Sequence, residues 1–358
     1  MLTSGSGKYS MQIPELSEAT GFGSVALGGL RYDYLNEENF GGKSKTIASG
    51  NQSLATGGST IAKGDWSATF GKDTAAYGGG SFAGGGGSIA GVSLEQYKKL
   101  YKDRLTDKTE EEIAQLYQDA NERSTLLADE SFDTVGFRYW FATAVGESTE
   151  AIGRAAFAEG YGTDAMNDFT HAEGYVNRVY GKAGHGEGGN NTVNGDYAHA
   201  EGGGILDGNA VGNIAEGLSS HAEGVGNKVY AVAAHVEGRG NTIEASGEGT
   251  HVEGGWNSST GKYSHIEGQS NKGTASSVHV EGLNNIASHA RAHVEGQDNR
   301  SSAANQHVLG KYCKDSYNAV VIVGNGDADA PDTENNKKGR SNAYELDWSG
   351  NAIFAGRV

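Results

Sequence analysis

Residues 171–202 read HAEGYVNRVYGKAGHGEGGNNTVNGDYAHAEG, and the phrase His-x-Glu-Gly occurs in them three times, at steps of fourteen residues. Seven of the nine steps between successive copies along the chain are fourteen residues, one is sixteen and one is twenty-two. A catalytic or metal site is normally built once, so about ten copies of a phrase indicate repetitive architecture. The first position of the phrase is held by His171, His185, His199, His221, His235, His251, His265, His279, His293 and His307.

Each fourteen-residue unit carries two small inward positions. The residue after His is mostly Ala, Val or Ile, and a second small residue follows seven positions later, as in Ala172 and Val179. Asn usually stands six residues after His, and upstream Gly recurs every seven residues from Gly50 to Gly85. Gly costs about 1 kcal/mol in a helix, so strand–turn units fit the period better than a coiled coil does. We expect Gly and Asn to supply corners with positive φ.

Two short strands per unit predict an all-β fold, a flattened parallel β-solenoid with fourteen residues per coil. Ala and Val fill only a thin core, so each coil gains little from burial. We therefore expect several copies of the chain to pack side by side. We attribute the sixteen-residue step to a small loop at ASGEG and the twenty-two-residue step to an extra half-phrase, IAEG, at 214–217. The repeat is predicted to stop at His307.

Composition excludes several classes of protein. The chain has 358 residues, with 58 Gly and only 2 Pro, which rules out collagen. A net charge of −17 argues against nucleic-acid binding and against docking to anionic lipid. Cys313 is the single cysteine, so no disulfide framework is expected. No apolar run is long enough to span a membrane, and residues 1–16 do not resemble a signal peptide.

Two segments interrupt the repeat. Residues 30–45 are predicted to be a loop with exposed aromatics and mixed charge, and residues 93–130 are predicted to be an inserted helical hairpin. Ser93 with Gln96 and Thr109 with Glu112 have the spacing of capping boxes. After the repeat, NAVVIVG is predicted to be a strand and AYELDWSGNAIFAG a hairpin that turns at 349–351 and covers the last coil.

The units SLATGGSTIAKG and ESTEAIGRAAFAEG resemble the head repeats of trimeric autotransporter adhesins, and the HAEG variant resembles the same repeat in bacteriophage tail proteins. The ending from VVIVG to Val358 is similar to a module found near the C-terminus of phage tail fibres. The resemblance covers about residues 46–92 and 141–358, and it implies left-handed β-rolls packed as a homotrimer. The predicted organisation is an attachment and loop region at 1–45, a first β-roll segment at 46–92, the hairpin at 93–130, the main β-roll at 131–310 and a capping β module at 311–358.

His and Glu of the phrase stand two apart on a strand and so share its outward face. We interpret them as a structural ladder in which Glu accepts from a backbone N–H or from His of a neighbouring coil or chain. A column of metal sites near a threefold axis is the functional alternative, and catalysis by the pairs is the least favoured. We predict no metal and no cofactor. The ladder comprises His171, Glu173, His185, Glu187, His199, Glu201, His221, Glu223, His235, Glu237, His251, Glu253, His265, Glu267, His279, Glu281, His293 and Glu295.

We predict that the chain attaches a particle to a host cell and is not an enzyme. The chain would be a trimeric phage tail fibre or receptor-binding protein of the virion, with itself, other tail or baseplate proteins and a bacterial surface glycan or protein as partners. Alternatives are a bacterial surface adhesin, a tailspike that degrades polysaccharide, and a structural spacer of a tail or injection system. Candidate receptor contacts are Tyr32, Tyr34, Tyr97, Tyr101 and Tyr117. For the three tyrosines of the predicted hairpin, at 97, 101 and 117, we favour a structural role as hairpin core or as contacts between chains, with receptor contact as the alternative.

Overall fold

The computed structural model describes residues 2–13, 17–29, 45–91, 109–113, 141–206, 208–329 and 339–355. These residues form an all-β solenoid of about 18 turns. Within them the only α-helix is the single turn at 110–113. The chain divides into two compact units, Met1–Gly188 and Gly189–Val358.

In both units successive strands alternate between two sheets, which we name sheet A and sheet B. In the first unit, sheet A contains Thr3–Ser4, Met11–Gln12, Val25–Gly29, Leu54–Gly58, Ala68–Lys72, Phe82–Gly86, Thr143–Glu147, Phe157–Tyr161, His171–Tyr175 and His185–Gly186. Sheet B of that unit contains Ser17–Ala19, Thr46–Ala48, Ile61–Ala62, Ala75–Ala76, Ile89–Ala90, Glu150–Ala151, Asp164–Ala165 and Arg178–Val179. From Met11–Gln12 onward the paired strands of this unit are parallel.

The second unit repeats the arrangement. Its sheet A contains His199–Gly202, His221–Gly224, His235–Val236, His251–Val252, His265–Ile266, His279–Val280, His293–Val294, His307–Lys311, Ala319–Asn325, Asn342–Asp347 and Ala352–Phe354. Its sheet B contains Thr192–Val193, Ile214–Ala215, Lys228–Val229, Thr242–Ile243, Ser258–Ser259, Lys272–Gly273 and Ile286–Ala287. A separate two-stranded ribbon joins Gly204–Leu206 to Asn209–Val211.

The core is a narrow layer of small side chains between the two sheets. In the first unit it is mostly alanine, as at Ala26, Ala55 and Ala83, all fully buried. In the second unit valine and isoleucine replace many of the alanines, as at Val236 and Ile243. Both inward positions predicted from the period are therefore confirmed, because a strand points alternate side chains to opposite faces.

The corner prediction is wrong for most of the asparagines. In each fourteen-residue repeat the Asn that stands six residues after His is buried and does not have positive φ. The residue before this Asn has positive φ instead, as at Val176 and Trp256. The glycine of the phrase also has positive φ, for example +95° at Gly254. A Cβ on Gly254 would lie 2.1 Å from the carbonyl oxygen of Gly268 in the next coil, so glycine is required there.

Neither insertion disturbs the register of the first unit. Phe82 pairs with Thr143 and Ile89 with Glu150, so the sheets continue directly past 92–140. Val25 likewise pairs with Leu54 across 30–44. Most of the predicted helical hairpin lies outside the described residues. Its capping box at Thr109 is present: the Glu112 N–H donates to Thr109 Oγ1 at 3.2 Å, and the Thr109 N–H donates to Glu112 Oε2 at 2.8 Å.

The explanation of the twenty-two-residue step needs correction. Ile214–Ala215, which we interpreted as an extra half-phrase, is an ordinary sheet B strand paired with Thr192–Val193 and Lys228–Val229. The additional residues form the ribbon Gly204–Leu206 and Asn209–Val211, while His199 pairs directly with His221. The sixteen-residue step does contain a local turn, in which the Gly247 N–H donates to the Glu244 carbonyl.

The solenoid continues past the predicted end of the repeat. His307 pairs in parallel with Val321, so Ala319–Asn325 adds a further strand to sheet A. Asn342–Asp347 then pairs with that strand in the antiparallel sense, and Ala352–Phe354 completes the predicted hairpin. Asp347 Oδ1 accepts from the N–H groups of Ser349 and Asn351 and so fixes the turn.

Candidate functional site

The His and Glu side chains of the phrase lie on the outward face of sheet A, on either side of the buried Ala, Val or Ile between them. We name this set the His–Glu ladder. The side chains of His221 and Glu223 are 33% and 44% exposed, respectively. Because the strands are parallel and in register, each His lies directly over the His of the neighbouring strand.

The imidazole rings form a continuous stack in the second unit. From His199–His221 to His293–His307, successive ring centroids lie between 4.5 and 5.1 Å apart. The interplanar angles range from 1° to 22°. Stacking at the spacing of adjacent strands is a direct result of the parallel register.

Six imidazoles of the second unit, those of His221, His235, His251, His265, His293 and His307, lie within 4.0 Å of a carboxylate of the preceding coil. His251 Nε2 lies 3.5 Å from Glu237 Oε1, and His307 Nε2 lies 3.5 Å from Glu295 Oε1. These separations are at or beyond the upper limit of hydrogen bonding. Within the described residues, seven of the ladder Nε2 atoms are shielded from solvent and have no hydrogen-bond partner: those of His221, His235, His251, His265, His279, His293 and His307.

The glutamates of the ladder are aligned along sheet A, and three neighbours, Glu253, Glu267 and Glu281, shift one another's pKa. Hydrogen bonds with Glu253 and Glu281, together with burial and their negative charge, raise the pKa of Glu267 to about 7. Hydrogen bonds with Glu237 and then Glu267 lower the pKa of Glu253, and hydrogen bonds with Glu295 and then Glu267 lower the pKa of Glu281. Burial, followed by the charges of His293 and His265, lowers the pKa of His279. Like charges one strand apart repel, and this repulsion is one of the causes that raise the pKa of Glu267.

A second ladder, which we did not anticipate, lies behind the glutamates. Asn241 Nδ2 donates to the Glu237 carbonyl at 2.6 Å and to the Gly254 carbonyl at 2.8 Å. Asn241 Oδ1 accepts from the Asn257 N–H at 2.7 Å. The same pattern recurs at Asn227, Asn257, Asn271 and Asn285. These amides hold the backbone that carries each Glu. The signal in the sequence that indicates this amide ladder is the strict recurrence of Asn, because a corner would also tolerate Gly or Asp.

The ladder has the donor atoms of a cation site. In four groups of the second unit, each residue offers one ligand atom and these atoms lie within 4.8 Å of one another: His221, Glu223, His235; His293, Glu295, His307; Glu237, His251, Glu253; and Glu253, His265, Glu267. An open groove lined by Glu267, Glu281 and Glu295 runs alongside. Imidazole and carboxylate together suit zinc and its neighbours in the periodic table.

The five tyrosines predicted to contact a receptor, at 32, 34, 97, 101 and 117, lie outside the described residues. The described part of the chain has its own exposed aromatic side chains at corners. Trp66, Phe141 and Phe169 have positive φ and are 52%, 63% and 49% exposed. We name these three residues the corner row. The first-unit corners between them carry Gly80 and Ala155, so an aromatic ring recurs every second coil.

Three further findings concern relatives of the chain, its helices and its single cysteine. Protein-family models and curated protein sequences give no match to this chain. In the described residues, no helix has the length and apolar character needed to cross a membrane. The thiol of Cys313 is buried among backbone atoms, and this burial raises its pKa to about 12.

Proposed function

We propose that this chain is a homotrimeric receptor-binding or tail-fibre protein of a phage particle, which attaches the particle to a glycan or protein on a bacterial surface. Its repeat would be a left-handed β-roll with fourteen residues per coil. The observation that carries the proposal is the corner row, because exposed aromatic rings on a rigid repetitive scaffold provide contact area at low entropic cost. Other tail or baseplate proteins would be its structural partners.

The spacing of the corner row favours an extended ligand. Neighbouring strands lie about 4.8 Å apart, so rings on alternate coils are separated by roughly 9–10 Å. Polar groups flank two of the rings: Trp66 Nε1 donates to Gln52 Oε1 of the preceding coil at 2.8 Å, and the Arg154 guanidinium lies 4.7 Å from the centre of the Phe169 ring. Apolar faces flanked by hydrogen-bonding groups suit a chain of sugars.

Assembly of three chains would strengthen a weak contact. Linking sites on one particle raises their effective concentration, so overall binding exceeds that of a single site. The outward face of sheet A also favours self-association, because it exposes Phe70, Val145 and Tyr161 in the first unit. The thin alanine core leaves each coil with little burial of its own.

A binding assay with purified protein on a panel of bacterial cells tests the proposal. The triple variant Trp66→Ala, Phe141→Ala, Phe169→Ala is expected to lose at least about tenfold in affinity for the cells that the parent binds, since stacked rings contribute on the order of 1 kcal/mol each. Tyr317→Ala is the matched control, because Tyr317 is 74% exposed and lies outside the corner row.

The inserted segment supplies a second test. Replacing 93–130 by a short Gly-Ser linker should leave the β-roll intact and weaken cell binding if the segment carries the receptor contacts. Unchanged binding by both this variant and the triple variant would favour a structural spacer. Release of reducing ends from bacterial polysaccharide by the parent protein would indicate a tailspike enzyme.

A further inference from the structure

We propose that the His–Glu ladder of the second unit binds zinc or a neighbouring late transition-metal ion at two positions, His221–Glu223–His235 and His293–Glu295–His307. Each position offers two imidazole nitrogens and one carboxylate oxygen. Two histidines and one glutamate form a recognised set of zinc ligands, with a fourth place left for water or another donor. This inference does not depend on the proposed attachment function.

The distances between histidine Nε2 atoms and glutamate oxygens are closer to those between two ligands of one metal ion than to those of a hydrogen bond. His293 Nε2 and His307 Nε2 lie 3.9 and 3.5 Å from opposite oxygens of Glu295. In the other group, His235 Nε2 lies 3.9 Å from Glu223 Oε2. Zinc bonds to nitrogen and oxygen of about 2.0–2.2 Å place neighbouring tetrahedral ligands roughly 3.4 Å apart. A hydrogen bond would need about 2.7–3.2 Å.

The environment of the nitrogens points to the same conclusion. The side chain of His307 is 42% exposed, yet its Nε2 atom is shielded from solvent and makes no hydrogen bond within the described residues. The same holds for the Nε2 atoms of His221, His235 and His293. These nitrogens lie 3.5–3.9 Å from the nearest carboxylate oxygens, which is too far for a good hydrogen bond. A buried nitrogen that is so poorly paired is costly, and coordination to a cation would satisfy its lone pair. The cation would also offset the mutual repulsion of the glutamate column.

Binding requires one local movement. The rings of His293 and His307 are stacked with centroids 4.5 Å apart and an angle of 6°, so their lone pairs run side by side and do not converge. The two imidazoles must tilt toward each other and bring their nitrogens closer by on the order of 1 Å to reach the ligand spacing of zinc. Their partial exposure leaves room for this rotation. Metal binding should therefore disrupt the stack locally while the buried Val294 and Val308 stay in place.

The experiment uses the full chain after removal of metals with a chelator. Zn²⁺ is titrated by calorimetry, and Co²⁺ is added in parallel because its visible absorption distinguishes tetrahedral coordination from the hydrated ion. We expect saturable binding of at least two ions per chain, an intense cobalt spectrum and a higher melting temperature with Zn²⁺. Glu223→Gln and Glu295→Gln should each remove one ion from the stoichiometry, and the double variant should remove both.

His289→Ala is the matched control, because His289 lies outside the ladder and its Nδ1 is 3.0 Å from the Ser301 carbonyl oxygen. It should bind metal like the parent. The proposal is overturned if the parent shows no saturable binding, if cobalt keeps the spectrum of the hydrated ion, or if the Glu→Gln variants retain the full stoichiometry. Should a glutamine variant fail to fold, the parent's cobalt spectrum and stoichiometry still decide. Cell binding of the metal-free protein, measured separately, reports on the attachment function alone.

Discussion

At the scale of single residues, the molecule relies on side chains that replace backbone hydrogen bonds. A buried asparagine in almost every coil of the second unit connects three chain segments through its amide, as Asn241 does with Glu237, Gly254 and Asn257. Short strands of two residues leave many backbone groups outside the ladders, and buried groups of this kind must find partners. The asparagines and the glycines of the phrase therefore define each coil as much as its apolar residues do.

Removal of one buried asparagine amide should lower the free energy of unfolding substantially. Asn241→Ala leaves the Asn257 N–H without its acceptor and the Glu237 carbonyl without its amide donor, both in the interior. We expect a loss of about 2–4 kcal/mol in the free energy of unfolding, measured by denaturant titration. Asn194→Ala, at an exposed asparagine that contacts Glu216 at 3.3 Å, should change it by no more than about 0.5 kcal/mol. Equal effects of the two would show that the amide ladder is energetically unimportant.

Adjacent glycines provide a sharper comparison. Gly254 has a φ of +95° and no room for a Cβ, whereas a Cβ on Gly255 would meet nothing closer than 4.0 Å. Gly254→Ala should lower stability by about 3 kcal/mol or more, since strain and a steric clash with the next coil add together. Gly255→Ala should stay within about 1 kcal/mol of the parent. Thermal melting of the two variants side by side tests this, and a reversed order would contradict it.

At the scale of elements, the sequence allowed most of the fold to be predicted. The period of the sequence indicated which positions are buried, because small residues recur at the positions whose side chains point into the core. It did not reveal the role of the asparagines, since Asn is also typical of turns. It also misplaced the extra residues near 204–217, because IAEG resembles the phrase although it lies in sheet B. For the candidate site, the sequence identified the ladder residues, but the cross-coil contacts depend on register.

Removal of the ribbon tests whether the ribbon accounts for the twenty-two-residue spacing between His199 and His221. Deleting residues 204–211 joins Gly203 to Gly212 and produces HAEGGGN, which matches HAEGVGN at 221–227. We expect the variant to keep its β circular dichroism and to melt within a few degrees of the parent. A deletion of the same length at 212–219 removes the strand Ile214–Ala215 and should lower the melting temperature by about 10 °C or more, given the loss of several ladder hydrogen bonds. Similar melting of both deletions would refute the assignment.

At the scale of the whole molecule, the two units present different outward faces on sheet A. The first exposes Phe70 and Val145 and carries only the two ladder pairs that begin at His171 and His185, whereas the second presents the rest of the His–Glu ladder. Both faces are self-complementary: apolar groups match apolar groups, and every coil of the ladder supplies both an acid and a base. Identical chains in register could therefore pair along both units.

We expect the purified protein to have three times the mass of the 37.2 kDa chain. The thin core is the physical reason, because each coil buries too little apolar surface alone. Static light scattering and native mass spectrometry measure this directly. Phe70→Asp with Val145→Asp should shift the population toward smaller species, while Tyr317→Asp serves as an exposed control. A stable folded monomer of the parent would exclude the trimer.

The antiparallel pair at the end of the second unit has a consequence for aggregation. The strand Ala319–Asn325 would offer a bare parallel edge, and such an edge can template the addition of another chain in amyloid-like polymerisation. Asn342–Asp347 occupies that edge and reverses the strand direction. Truncation after residue 329 should therefore produce aggregates that bind thioflavin T and grow from preformed seeds, whereas truncation after residue 355 should not. The hairpin thus acts as a terminator that keeps a self-templating stack finite.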